Sequence, residues 1–222
     1  MTILILGPRQ RNQPLIEFLT QRRHQVQITT EPVTLEWLRE QRIDFMISFG
    51  YAPILKPPIT TAYRRRIINV HPAYLPEGRG IYTNFWSFLE GRPKGVSLHF
   101  IDDEGIDSGD IIVRRLLPLG KDETVRTSHA LLDRAVIELF CEVWEQIERG
   151  TCQAVSQEEC DGIPRYRNRC QSERLMELFP QRWDTPVSTV EAVGAELFLA
   201  DAFWQRYDRE LQTVTSKAAS SV

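Results

Sequence analysis

Three short strand-like runs in the first fifty residues, over 2–6, 25–29 and 43–49, constrain the fold more than any other feature. Each has the length of a strand. The segments between them, 13–23 and 34–40, set apolar residues on one side at helical spacing, as Leu15, Ile16, Phe18 and Leu19 show. A strand that returns parallel to its predecessor needs a crossover, and a helix is the usual one, so the stretch reads βαβαβ. The third run is apolar enough to be covered on both faces. After Pro57-Pro58, a basic helix to Arg66 and a strand over 67–70 extend the pattern. The expected class is α/β: a Rossmann-like, mostly parallel sheet flanked by helices, with its site on loops at the carboxyl ends of strands.

Further along, residues 83–89 read as a helix, 95–101 and 110–117 as strands, and 124–148 as a long amphipathic helix. Asp122 or Thr124 would cap that helix and Gly150 would stop it. A core domain over 1–150 follows. Residues 151–222 are polar and turn-rich, with a basic stretch at 163–169, a last helix over 190–211 and a frayed tail from 216. This extension is too short for a core of its own, so it is expected to pack on the first domain or on a second copy in a homodimer.

Several classes of function are disfavoured by composition. Lys and Arg number 27 against 30 Asp and Glu, a net charge of −3 that offers no bulk attraction to nucleic acid. The apolar runs fall well short of the roughly 20 residues a membrane span requires. The N-terminus lacks a charged segment and cleavage site of a secretory signal, which makes the cytoplasm the expected location. Cys141, Cys152, Cys160 and Cys170 form no C-x-x-C pair and have no histidine at ligand spacing, so reduced thiols are expected and no metal site. The first strand ends in Gly7-Pro8-Arg9-Gln10-Arg11-Asn12 rather than G-x-G-x-x-G, which disfavours a dinucleotide. Arg9 and Arg11 nevertheless stand where a phosphate could meet the next helix.

The chemistry concentrates at Asn69-Val70-His71-Pro72. Residues i and i+2 of a strand share a side, so the amide of Asn69 and the imidazole of His71 can face one cavity. Asp107 falls in a loop of four acids and two glycines, Asp102 to Gly109, between two later strands. An amide and an imidazole can hold a developing oxyanion, while a carboxylate orients the imidazole and helps remove a proton. The trio suits acyl transfer. His99 alternates with apolar neighbours and reads as a core histidine, Trp86 and Phe88 as core aromatics, and Arg64 to Arg66 as a solvated face.

The run Asn69-Val70-His71-Pro72-Ala73-Tyr74-Leu75-Pro76, then Gly78-Arg79-Gly80, Gly95-Val96-Ser97-Leu98-His99-Phe100 and Gly105-Ile106-Asp107-Ser108-Gly109, resembles the folate-dependent formyltransferase superfamily. The order of motifs covers most of the first 150 residues. That resemblance implies Asn69, His71 and Asp107 as the catalytic set and 10-formyltetrahydrofolate as the formyl donor. It also implies a donor pocket built from Phe49, Tyr51, Pro53, Ile54 and Leu55 on one wall and the loop with Asp103 and Gly105 on the other. The segment Gly80 to Gly91, with Thr83-Asn84-Phe85-Trp86-Ser87, is most similar to the small nucleotide-sugar N-formyltransferases. Arg165-Tyr166-Arg167 and Trp183-Asp184-Thr185-Pro186 look like their hairpin-bearing C-terminal segment. The implied acceptor is a dTDP- or UDP-linked amino sugar, met by Arg9, Arg79, Tyr82 and Asn84. Glu77, before Gly78-Arg79-Gly80, departs from many sugar enzymes and would either change the acceptor or repel a phosphate. Alternative readings are formylation of another small amine, hydrolysis of formyl-folate, or a non-catalytic folate or nucleotide binder.

Overall fold

Strand and helix alternate from the first residues, as the apolar runs require: β1 (Thr2–Leu6), α1 (Arg9–Gln21), β2 (Gln25–Thr29), α2 (Leu35–Glu40) and β3 (Phe45–Ser48). The computed structural model describes residues 1–102 and 105–199. A one-turn helix α3 (Ile59–Ala62), β4 (Ile67–His71), β5 (Arg79–Gly80), α4 (Thr83–Leu89), β6 (Gly95–Phe100), β7 (Ile111–Leu116) and α5 (Val125–Glu148) complete the core. β8 (Tyr166–Arg167), α6 (Arg169–Met176) and α7 (Val187–Leu199) make the extension.

The main sheet has the order β2-β1-β3-β4-β6-β7. β1, β2, β3 and β4 are parallel and β6 is antiparallel to both neighbours, so five of six strands point the same way. The chain crosses from β2 at one edge to β3 on the other side of β1, which opens the crevice where such sheets bind ligands. Both faces are covered. Ile3, Ile5, Ile47, Ile68, Val70 and Leu98 pack with Leu15 and Leu19 of α1 and with Leu139, Phe140 and Trp144 of α5. Leu4, Leu6, Met46 and Ile67 pack on the other side with Leu38 and Tyr63.

Element ends follow local chemistry. Thr124 caps α5 through a reciprocal box with Thr127, and Gly150 leaves it at φ 65°. α1 begins at Arg9, four residues earlier than the apolar face indicates, because Asn12 reaches back to the Pro8 carbonyl at 3.0 Å and forward to that of Phe49 at 3.0 Å. The expected basic helix shrinks to α3, since Arg65 takes a left-handed φ of 58°.

The extension corrects one expectation: among the described residues it holds no hairpin. β8 pairs in parallel with β5 of the core instead. Its helices have no separate interior, as Leu175, Met176, Phe179, Val187 and Val190 join Phe85, Trp86, Phe88 and Leu89 of α4. The expected last helix begins at Val187, and its part beyond Leu199, with the tail, lies outside the described residues.

Candidate active site

On β4, Ile68 and Val70 point into the core beneath α5, which sends Asn69 and His71 to the opposite face of the sheet. Antiparallel pairing with β6 places His99 opposite Asn69 and Ser97 opposite His71. Residues directly opposite share a face, so four polar side chains gather on one patch. Ser97 is fully satisfied within it, donating to the Ala73 carbonyl at 2.8 Å and accepting from the Leu75 amide at 3.0 Å.

Asp107 arrives from the loop between β6 and β7, in a left-handed conformation with φ 53°. Its Oδ1 accepts from Asn69 Nδ2 at 2.9 Å and its Oδ2 from the Gly80 amide at 2.8 Å. His99 Nε2 stands 3.5 Å from Oδ1, and His71 Nε2 stands 4.0 Å from Oδ2. The structure thus brings Asn69, His71 and Asp107 together, with His99 as a fourth member.

The contacts fix the protons. A carboxylate only accepts, so the Asn69 group facing Asp107 is the NH2, and its second hydrogen lies toward His99 Nε2 at 3.1 Å. His99 Nδ1 donates to the Phe100 carbonyl at 2.8 Å, leaving Nε2 as the acceptor that Asn69 needs. His71 Nε2 donates to the Gly78 carbonyl at 2.6 Å, which leaves the Nδ1 lone pair of a neutral ring to take a proton. Burial lowers the pKa of His71, against the raising pull of Asp107, and keeps the ring neutral. Burial by itself would raise Asp107, but in the acid range where it would titrate, the attraction of protonated His71 and His99, with the Gly80 amide, outweighs burial and holds the carboxyl well below the usual carboxylate range. The site is a charged carboxylate beside a neutral imidazole, a pair suited to receiving a proton.

A family profile described as formyl transferase matches residues 5–143, from β1 through most of α5. The chain belongs to the formyl transferase family. The formyltransferase PseJ from Anoxybacillus kamchatkensis, solved with UDP-4,6-dideoxy-4-formamido-L-AltNAc and tetrahydrofolate, superposes with a TM-score of 0.80 at 34% identity, over 87% of this chain and 100% of that one. An N-formyltransferase from Helicobacter canadensis, solved with folinic acid and dTDP-3-aminofucose, shares the fold with a TM-score of 0.63 at 20% identity, over 77% of this chain and 72% of that one. Methionyl-tRNA formyltransferase of Pelotomaculum thermopropionicum is 32% identical over 136 residues, 61% of this chain and 41% of that protein. The one from Citrifermentans bemidjiense is 26% identical over 143 residues, 60% and 45% respectively, so the chain spans less than half of these relatives.

Within this formyl transferase the remaining expected site residues divide. Phe49 is fully buried under the Arg11 guanidinium, 4.1 Å from its ring centre. Tyr51, Pro53, Ile54 and Leu55 form the loop after β3; Ile54 is 62% exposed, and the Tyr51 hydroxyl donates to the Glu31 carbonyl at 2.8 Å. Gly105 is exposed at φ 151°, and Asp103 lies outside the described residues.

Of the acceptor set, Asn84 lines a pocket with Arg79, and its Oδ1 is buried with no hydrogen-bond partner among the described residues. It is buried, with Nδ2 donating to the Val125 carbonyl and the Ser128 hydroxyl at 2.9 Å each, tying α4 to α5. The Arg79 guanidinium is engaged by Gln157. Tyr82 sits at φ 55° with its ring 5.1 Å from that of Trp183, and Arg9 is exposed on the first turn of α1. Arg11 is paired with Asp133 at 2.5 Å. Glu77 is paired with Arg92 at 3.2 Å, so its charge does not stand alone against an incoming phosphate.

His99, read from the sequence as a core histidine, joins the cluster at Asn69 and Asp107. Its signal lay in the register of two antiparallel strands, which local spacing does not reveal. Among the described residues, no group of three His, Cys, Asp or Glu could hold a metal, and no helix is long and apolar enough to cross a membrane.

Proposed function

We propose that this formyl transferase moves a formyl group from 10-formyltetrahydrofolate to the amine of a nucleotide-linked amino sugar. The observation that carries the reading is the closed cluster of Asn69, His71 and Asp107 in a chain whose likeness to PseJ runs over 87% of its length, extension included. PseJ was solved with a formamido sugar nucleotide and tetrahydrofolate. PseJ also matches at 34% identity, against 26% and 32% for the two methionyl-tRNA enzymes, which favours the sugar acceptor over tRNA.

The donor supplies an electrophilic formyl carbon. The exposed apolar side chain of Ile54, after the strand that neighbours β4, and the main-chain groups of that loop fit one face of a flat heterocycle. An attacking amine must be neutral to carry a lone pair, and its nitrogen sheds a proton as the new bond forms. His71 Nδ1 is the free base for that proton, Asp107 stabilises the imidazolium that results, and the same proton passes to N10 of the donor as the formyl–N10 bond breaks and tetrahydrofolate leaves. Asn69 donates to the formyl oxygen as charge develops there, an interaction for which one of its present partners gives way. The cytoplasm and a homodimer remain part of this proposal.

The test is incubation with 10-formyltetrahydrofolate and a panel of dTDP- and UDP-linked amino sugars. A gain of about 28 Da on one of them, formyl replacing hydrogen, is expected of acyl transfer. Rapid formate release with every sugar unchanged would establish a hydrolase instead, and tight folate binding without turnover a binding protein.

A further inference from the structure

Gln157 lies in the extension, beyond the stretch that matches the family. It opens a single turn of 3-10 helix and is only 3% exposed. Its amide is saturated. Nε2 donates to the carbonyls of Asp107 and Gly109 at 2.8 Å each, and Oε1 accepts from Nε and Nη2 of Arg79 at 3.0 and 2.8 Å. Carbonyls only accept and a guanidinium only donates, so no flipped amide satisfies the four contacts. One side chain therefore grips the backbone at and beyond the site carboxylate and ties both points to the loop that carries Arg79 and Gly80.

The same segment acts a second time through β8. The amides of Arg79 and Ile81 donate to the carbonyls of Arg165 and Arg167, at 3.0 Å each. Alternate amides of a strand point to opposite edges, so this pairing turns the Gly80 N–H away from β8 and onto Asp107 Oδ2 at 2.8 Å. A left-handed conformation at a non-glycine residue persists only where its surroundings impose it. Around Asp107, Gln157 holds the carbonyl and the Gly80 amide of the β5–β8 pair holds the carboxylate.

We propose that Gln157 is a positioning residue of the active site, holding Asp107 in the geometry from which its carboxylate meets Asn69 and the two imidazoles. The extension thereby completes the catalytic site rather than merely covering it. This inference rests on the formyl-transfer reading for its kinetic consequence, but its structural consequence can be measured without turnover.

The full chain is compared with Gln157→Met, which fills the same space and makes neither set of bonds, and with Gln157→Glu, which still accepts from Arg79 but, when ionised, cannot donate to the carbonyls. Two readouts are taken: kcat and KM for formyl transfer, and the 13C titration of the Asp107 carboxyl, identified by its absence in Asp107→Asn. A displacement of about 1 Å costs on the order of a hundredfold in rate, so kcat is expected to fall roughly tenfold to a hundredfold with KM for both substrates within about twofold. The carboxyl is expected to titrate upward toward the ordinary aspartate value of about 3.9. A Gln157→Met protein with the parent's melting curve, kcat and Asp107 titration would overturn the proposal, and Gln157→Glu answers the same question if the methionine variant does not fold. Should no acceptor be turned over while the Asp107 titration still moves in the variants, the formyl-transfer reading fails and the positioning role stands.

Discussion

Asn69 and Asp107, 38 positions apart, meet at 2.9 Å, and the contact uses one of the two hydrogens the Asn69 amide has to give. The other lies toward His99. Asn69 therefore does two things in the resting site: it stabilises the charge on Asp107 and fixes the His99 ring through Nε2.

Asn69→Ala removes both. Loss of one donor to a developing oxyanion typically costs on the order of a hundredfold to a thousandfold in kcat. A fall in that range, with folate affinity by fluorescence titration little changed, is the expected outcome. An unaltered kcat would remove Asn69 from the reaction.

His71 predicts an acid limb. Its pKa is lowered by burial, so kcat/KM should fall with decreasing pH through a value below the ordinary 6.5 of histidine, and His71→Gln should abolish both the limb and most of the rate. Stability follows the same sign. Between the folded and unfolded pKa the unfolded chain binds more protons, so stability is lost as pH falls below about 6.5, and again as it falls below about 3.9 toward the depressed value of Asp107. His129, also lowered by burial, adds to the first window. Melting temperatures measured from pH 7 down to 5 should decline less steeply in His71→Gln than in the parent.

Arg167 and Glu90 form a buried ion pair that links the extension to α4, with side chains 8% and 3% exposed. Arg167→Met leaves the Glu90 carboxylate with Arg92, 3.6 Å away, as a cationic neighbour. Breaking one side of a buried pair costs about 3 to 5 kcal/mol, and the second arginine places this case near the lower end. Urea unfolding checks the value. A loss under about 1 kcal/mol would mean that solvent reaches the carboxylate.

How much of this was legible in the sequence depends on the range of the interaction. Strands β1, β2 and β4, the face of α5 and the Thr124 cap follow from spacing and capping chemistry within a few residues, and the structure has them there. Asn69 and His71 share a face because they are two apart on one strand. Their meeting with Asp107 was expected from motif order and not from local pattern. His99 and Gln157 were out of reach for a different reason. The first depends on the β4–β6 register, the second on a turn fifty residues beyond Asp107. Asn84 also links α4 to α5 through its Nδ2, a packing contact that a motif segment does not announce.

Gly80 ties these ranges together. Its φ of 96° lies where side chains are strained, and an added Cβ would stand 2.1 Å from the Arg167 carbonyl. Gly80→Ala must therefore either open the β5–β8 pair or shift the loop, and in both cases the amide that holds Asp107 Oδ2 moves. The strain alone is worth about 1 to 3 kcal/mol, and the lost amide contact adds a kinetic effect that an ordinary turn glycine would not show. The expected result is a lower melting temperature together with a kcat reduced tenfold or more at temperatures where the variant is fully folded. If activity per folded molecule were preserved, the Gly80 amide would be a structural support alone, and the link from β8 to the carboxylate would have to run through Gln157.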